Sequence, residues 1–282
     1  MLLRILQAIL VLLPVTAQAQ AATSHRVELD HVTLQWTEKP SDEEINGVTQ
    51  EVLRQHARVA ELLAVEPPAM ITIILGGPAE QPDGSWQTPR VDWLGRVLLF
   101  RFTDEYTNYF SALPHELVHA FRFGRRMDAD WFFEEGFAEF IALRADSSLA
   151  GFPWFDYPVP IVAGQWLASG EAVPLALLRE QHKQLNKACR AQAYALRSAF
   201  FVWLGDSFGD DTVLQVANQT PAGALGDYEQ FFGKAFDELV TEWRAAALAE
   251  YENIDDAPEQ ARRFRTQSPI QYQNVCAQGE DF

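Results

Sequence analysis

His115-Glu116-Leu117-Val118-His119, followed by Trp131-Phe132-Phe133-Glu134-Glu135-Gly136-Phe137-Ala138-Glu139, is the stretch on which the reading of the chain turns. Residues four apart on a helix share a face and lie about 6 Å apart along its axis. His115 and His119 therefore offer two imidazoles to one ion. Glu116, rotated by about 100° around the same helix, flanks that ion instead of binding it. Two neutral nitrogens with a carboxylate beside them form the arrangement of a zinc hydrolase, where the carboxylate works on a metal-activated water. The plainer reading is a surface helix with two solvated or capped histidines.

The second segment argues for the metal. Gly124 is a stop for the first helix, residues 125–129 make a short polar turn, and Asp130 is an N-cap for a helix opening at Trp131. Helices joined this way pack antiparallel, so Glu135 can face His115 and His119. A His₂Glu set with one open position is that of a catalytic zinc. The expected helices run from Thr107 to Phe123 and from Trp131 to Arg144. Pro114 is tolerated only if the regular helix starts near it.

An H-E-x-x-H followed by a helix reading W-x-x-x-E-G-x-A-E resembles the gluzincins, and within them the peptidase MA-like group related to M1 aminopeptidases. The resemblance covers residues 41 to 250, tightly at the two helices and loosely elsewhere. It implies that Glu135 is the third zinc ligand and that Glu139 hydrogen-bonds a zinc histidine, fixing its ring and tautomer; a solvated helix carboxylate is the alternative for Glu139. Glu134 is expected to be an ordinary surface carboxylate. The relatives place a catalytic Tyr at the start of a later helix, and Tyr194 matches that position in the helical stretch Ala191–Leu204. Its hydroxyl would share the oxyanion with the metal, or the ring would simply pack.

The resemblance also implies an edge strand just before the zinc helix, here residues 95–102, able to pair with an extended substrate. A plain core strand is equally compatible with the sequence. Tyr228 to Leu239 and Trp243-Arg244 are similar to the closing helices of the group. One departure matters: no G-x-M-E-N stretch precedes His115, so a site for a substrate's free amino terminus is not supported. The implied activity is that of an exported zinc metallopeptidase, an endopeptidase rather than an aminopeptidase, acting on a peptide or protein. A zinc-binding scaffold of the same fold without turnover is the rival. The intact Glu116 speaks against it, because holding zinc requires no base.

The expected fold is α+β and zincin-like: a small sheet-containing N-terminal lobe (about 26–102), a mainly helical lobe (103–255), and zinc in the cleft between. Residues 256–282 read as a polar, irregular tail. Residues 1–19 read as a secretory signal, with Arg4 before an apolar run and Ala17-Gln18-Ala19 as a cleavage site; cutting after Ala21 is the alternative. The run is too short to span a bilayer, so export to the periplasm or beyond is expected, without stable membrane insertion afterwards. The 282-residue chain is 48% hydrophobic with 8 Trp, which suits a globular core, and its formal charge of -17 argues against nucleic acid or anionic membranes as partners.

Along the rest of the chain, residues 26–37 alternate as one or two short strands. Ser41 caps a helix reaching residue 65, in which His56 is an ordinary exposed or packed histidine. Residues 70–75 form a buried strand and 147–166 an aromatic, Pro-rich segment too broken for regular structure, either a substrate rim or packing. Cys189 and Cys276 are the 2 cysteines. An oxidising compartment would let them pair; otherwise they stay free thiols.

Overall fold

The computed structural model describes residues 25–66, 68, 70–79, 87–101, 110, 112–124, 130–146, 158–181, 185, 189–219 and 222–267. The expected signal, the turn at 125–129, most of the aromatic segment, the start of the Thr107 helix and Cys276 lie outside them. The architecture is α+β, a small N-terminal sheet followed by a mostly helical remainder.

The sheet has five strands: β1 (His25–Glu28), β2 (Val32–Trp36), β3 (Ile71–Pro78), β4 (Arg90–Val91) and β5 (Val97–Arg101), in the order β1-β2-β3-β5-β4. The two outer pairings are antiparallel, and β2/β3 and β3/β5 are parallel. A parallel neighbour needs a crossover, and α1 (Asp42–Leu63) provides it between β2 and β3. Ser41 accepts from the Glu44 N–H at 3.1 Å to open α1, and Val48, Val52, Val59 and Leu63 form its buried stripe. Period-two alternation buries Ile71, Ile73 and Leu75 of β3.

β5 is not the outermost strand. β4 lies outside it, although its two residues pair only with Val97 and Leu98, so Leu99–Arg101 have β3 on one side and no described strand on the other.

The helices that follow are α2 (Leu113–Phe121), α3 (Trp131–Ala145), α4 (Val159–Ser169), α5 (Leu175–Glu180), α6 (Arg190–Phe208), α7 (Asp210–Ala217), α8 (Leu225–Phe232), α9 (Phe236–Asn253) and α10 (Ala257–Gln267). α3 is buried on all sides along most of its length, as a central helix is, with Phe132, Phe133, Phe137, Phe140 and Ile141 in the core and Glu134, Glu135 and Glu139 buried among them. A single core cluster runs from the sheet through α1, α2, α3 and α6 to α9, so the two expected lobes share one interior. Among the described residues no helix is long and apolar enough to cross a membrane.

Two expectations are corrected. The segment 147–166 is not irregular throughout: α4 begins at Val159, with Pro160 in its first turn where the missing N–H costs nothing. The tail is not irregular in its described part either, being helical over Ala257–Gln267. In α10, Ala257, Ala261 and Phe264 are buried. Phe264 meets Trp166 of α4 edge-on at 6.1 Å, and Ala257 and Ala261 cluster with Ile161 and Tyr251. A stripe of three small or isolated apolar residues docks the helix while leaving its composition polar.

Candidate metal centre

α2 starts where Pro114 can be accommodated, in its first turn, and every residue from Leu113 to Ala120 is buried. Asp130 opens α3 by accepting from the Phe132 and Phe133 N–H groups at 2.9 and 3.3 Å. The two helices are also tied by Arg122, just past the end of α2. Its guanidinium is ion-paired with Glu134 in the first turn of α3, donates to the Ala217 carbonyl at 2.8 Å, and lies 5.0 Å over the Phe137 ring. Glu134 is therefore fully buried, not the surface carboxylate expected. Its neighbour Glu135 faces the histidines of α2.

His115, His119 and Glu135 converge, with one candidate ligand atom from each lying within 4.8 Å of the others. The two Nε2 atoms are 3.0 Å apart. Glu135 Oε2 is 3.6 Å from His115 Nε2, and Glu135 Oε1 is 3.6 Å from His119 Nε2. Zinc–ligand bonds of 2.0–2.1 Å in a tetrahedron separate neighbouring ligand atoms by about 3.3 Å. The separations of 3.0 and 3.6 Å bracket that spacing, so two imidazoles and a carboxylate are placed where they could hold one metal ion.

Glu139, one turn beyond Glu135, sits behind His115 with Oε1 2.8 Å from Nδ1. This leaves Nε2 as the nitrogen directed at Glu135. Glu116 is buried beside the cluster in the first turn of α2. Burial works to lower the pKa of His115, but the Glu139 carboxylate, then Glu135 and Glu116, hold it well above the usual histidine range. Burial works to raise that of Glu135, but His119, His115 and Arg197 hold it well below the carboxylate range. A metal ion held there would meet an ionised carboxylate on Glu135 and would compete with a proton for His115.

Tyr194, in the first half of α6, reaches the cluster. Its ring centroid is 6.1 Å from that of His115, and its hydroxyl donates to Glu135 Oε2 at 2.8 Å. The hydroxyl is thus bonded to a candidate ligand. Reading the sequence missed Arg197, which is fully buried with Cζ 4.6 Å over the Tyr194 ring. The signal was available, since residues three apart on a helix are neighbours.

α6 can lie this close to α3 because of two glycines. A Cβ on Gly136 would stand 2.3 Å from Phe201, and one on Gly205 would stand 2.5 Å from Phe140. Each helix seats a phenylalanine of the other where it has no side chain. His56 lies outside the cluster, buried and packed 5.0 Å from Phe121. Cys189, at the start of α6, is disulfide-bonded, and the chain's one other cysteine is Cys276. Compared with protein-family models and with curated proteins, the chain matches none.

Proposed function

We propose that the chain is an exported zinc metallopeptidase of the gluzincin type, cleaving within peptide or protein substrates. The observation that carries the reading is the convergence of His115, His119 and Glu135 at metal-ligand spacing, with Glu116 beside them. His115, His119 and Glu135 would hold the ion in the cleft between the sheet-containing and helical parts. Zinc in such a site supplies Lewis acidity toward a water and toward the scissile carbonyl oxygen. Glu116 accepts the proton of the attacking water and delivers it to the leaving amine. Glu139 holds the His115 ring and keeps its proton on Nδ1. Tyr194 releases Glu135 and donates its hydroxyl to the oxyanion. Lack of a G-x-M-E-N stretch favours endopeptidase over aminopeptidase action, and the segment 1–19 supports export to the periplasm or medium.

Digestion of a peptide library by the purified protein tests this, with metal content measured on the same sample. The expected result is close to one zinc per chain and internal cleavage. Glu116→Gln should keep the metal and lose hydrolysis by several orders of magnitude, because the base is removed while the ligands stay. Bound zinc with no cleavage by wild type would instead favour a binding module. Cleavage undiminished in Glu116→Gln would remove Glu116 from the mechanism.

A further inference from the structure

The two buried arginines among the described residues are buried differently. Arg122 has a carboxylate, a carbonyl and an aromatic face around it. Arg197 has the Tyr194 ring under it, but none of Nε, Nη1 and Nη2 hydrogen-bonds to protein. A guanidinium stays charged in a protein interior, and burying one without a bonded counter-charge is strongly unfavourable unless nearby charge compensates. That charge is at the metal cluster. Tyr194 bridges the two, with Arg197 on its ring and Glu135 on its hydroxyl, and Arg197 acts across this distance on the Glu135 carboxylate.

Three buried carboxylates, Glu116, Glu135 and Glu139, surround the two histidines. We propose that Arg197 is a positioning residue of the metal centre, whose permanent charge offsets part of the negative charge of these carboxylates while its guanidinium holds the Tyr194 ring in place. The inference rests on the zinc reading given above, but it concerns the metal's affinity and not turnover. The added positive charge has opposite effects on two quantities. A nearby cation weakens binding of a dication, and it leaves the bound dication with more of its pull on a carbonyl oxygen, because less negative charge surrounds it.

The test is zinc affinity by chelator competition for wild type, Arg197→Met, Arg197→Gln and Arg197→Lys. Both neutral variants should bind zinc more tightly, by about tenfold or more, and hydrolyse peptides more slowly. Arg197→Lys keeps the charge and should stay near the wild-type affinity. Structural damage alone would move affinity the other way, so neutral variants that bind zinc no more tightly than wild type overturn the proposal. Should both fail to fold, Arg197→Lys decides: a lysine variant that folds with wild-type zinc affinity supports the proposal, because a positive charge at this place then suffices, and one that also fails to fold overturns it. Tighter zinc binding with no hydrolysis by any form would sink the peptidase reading and leave this one standing. Wild type that takes up no zinc removes both.

Discussion

The Tyr194 hydroxyl has two possible duties, and a single-atom change separates them. It donates to Glu135 Oε2, yet it is also the group assigned to the oxyanion. Tyr194→Phe should leave zinc bound and lower kcat by about 10²–10³ with KM little changed, as loss of one oxyanion donor does. Unchanged kcat with weakened zinc binding, read by steady-state kinetics and metal analysis, would confine the hydroxyl to holding Glu135. His56 makes a separate, pH-dependent prediction. Burial, then the neighbouring His31, lower its pKa from 6.5, against an opposing pull from Asp30. The unfolded chain therefore takes up that proton first, so stability is full above about pH 6.5 and falls as pH drops below it. Urea midpoints across that range should show a flatter acid limb for His56→Gln than for wild type; parallel limbs would refute it. At this scale the approach of His115 to His119 was legible, because a four-residue spacing fixes a shared face. Glu134 was not, because its burial depends on Arg122, which lies across a turn, and on a carbonyl supplied by α7.

The seam between α3 and α6 is the element on which the site depends. Glu135 sits beside Gly136, and Gly136 is where Phe201 presses closest. Gly136→Ala must push α3 and α6 apart, at a cost of about 1–3 kcal/mol as overpacking of a filled core. The displacement should reach Glu135 and Tyr194 together and weaken zinc binding as well as stability. Thermal melts and chelator competition check both, and an unchanged variant would mean that the seam yields without transmitting the shift. α1, β3, β5 and α3 could be read from the sequence within a few residues, because caps and hydrophobic periodicity are local. α4 and α10 could not. α4 begins among prolines that look like breakers until one is seen to occupy a first turn. α10 shows Ala257, Ala261 and Phe264 against a polar background, and only Trp166 and Ile161 on another helix make that stripe a core face.

Among the described residues the main core runs from the sheet into the helices, two smaller clusters lie around α4 and α10, and Cys189 adds a covalent tie at the start of α6. The sequence suggests two lobes because the expected strands give way to expected helices after β5, whereas a shared core is a property of packing that no single segment displays. The reciprocal seating of Phe201 against Gly136 and Phe140 against Gly205 has a consequence for isotope exchange. Two helices keyed into one another at two points one turn apart cannot slip or part locally without emptying both seats. Their backbone amides should then trade hydrogen for deuterium only when the entire fold opens. Zinc, binding the folded form alone, should slow that exchange in residues 132–142 and in 196–204 by the same factor, set by its concentration relative to Kd. Mass-resolved exchange with and without metal reads this directly, and unequal factors for the two helices would show that they open independently.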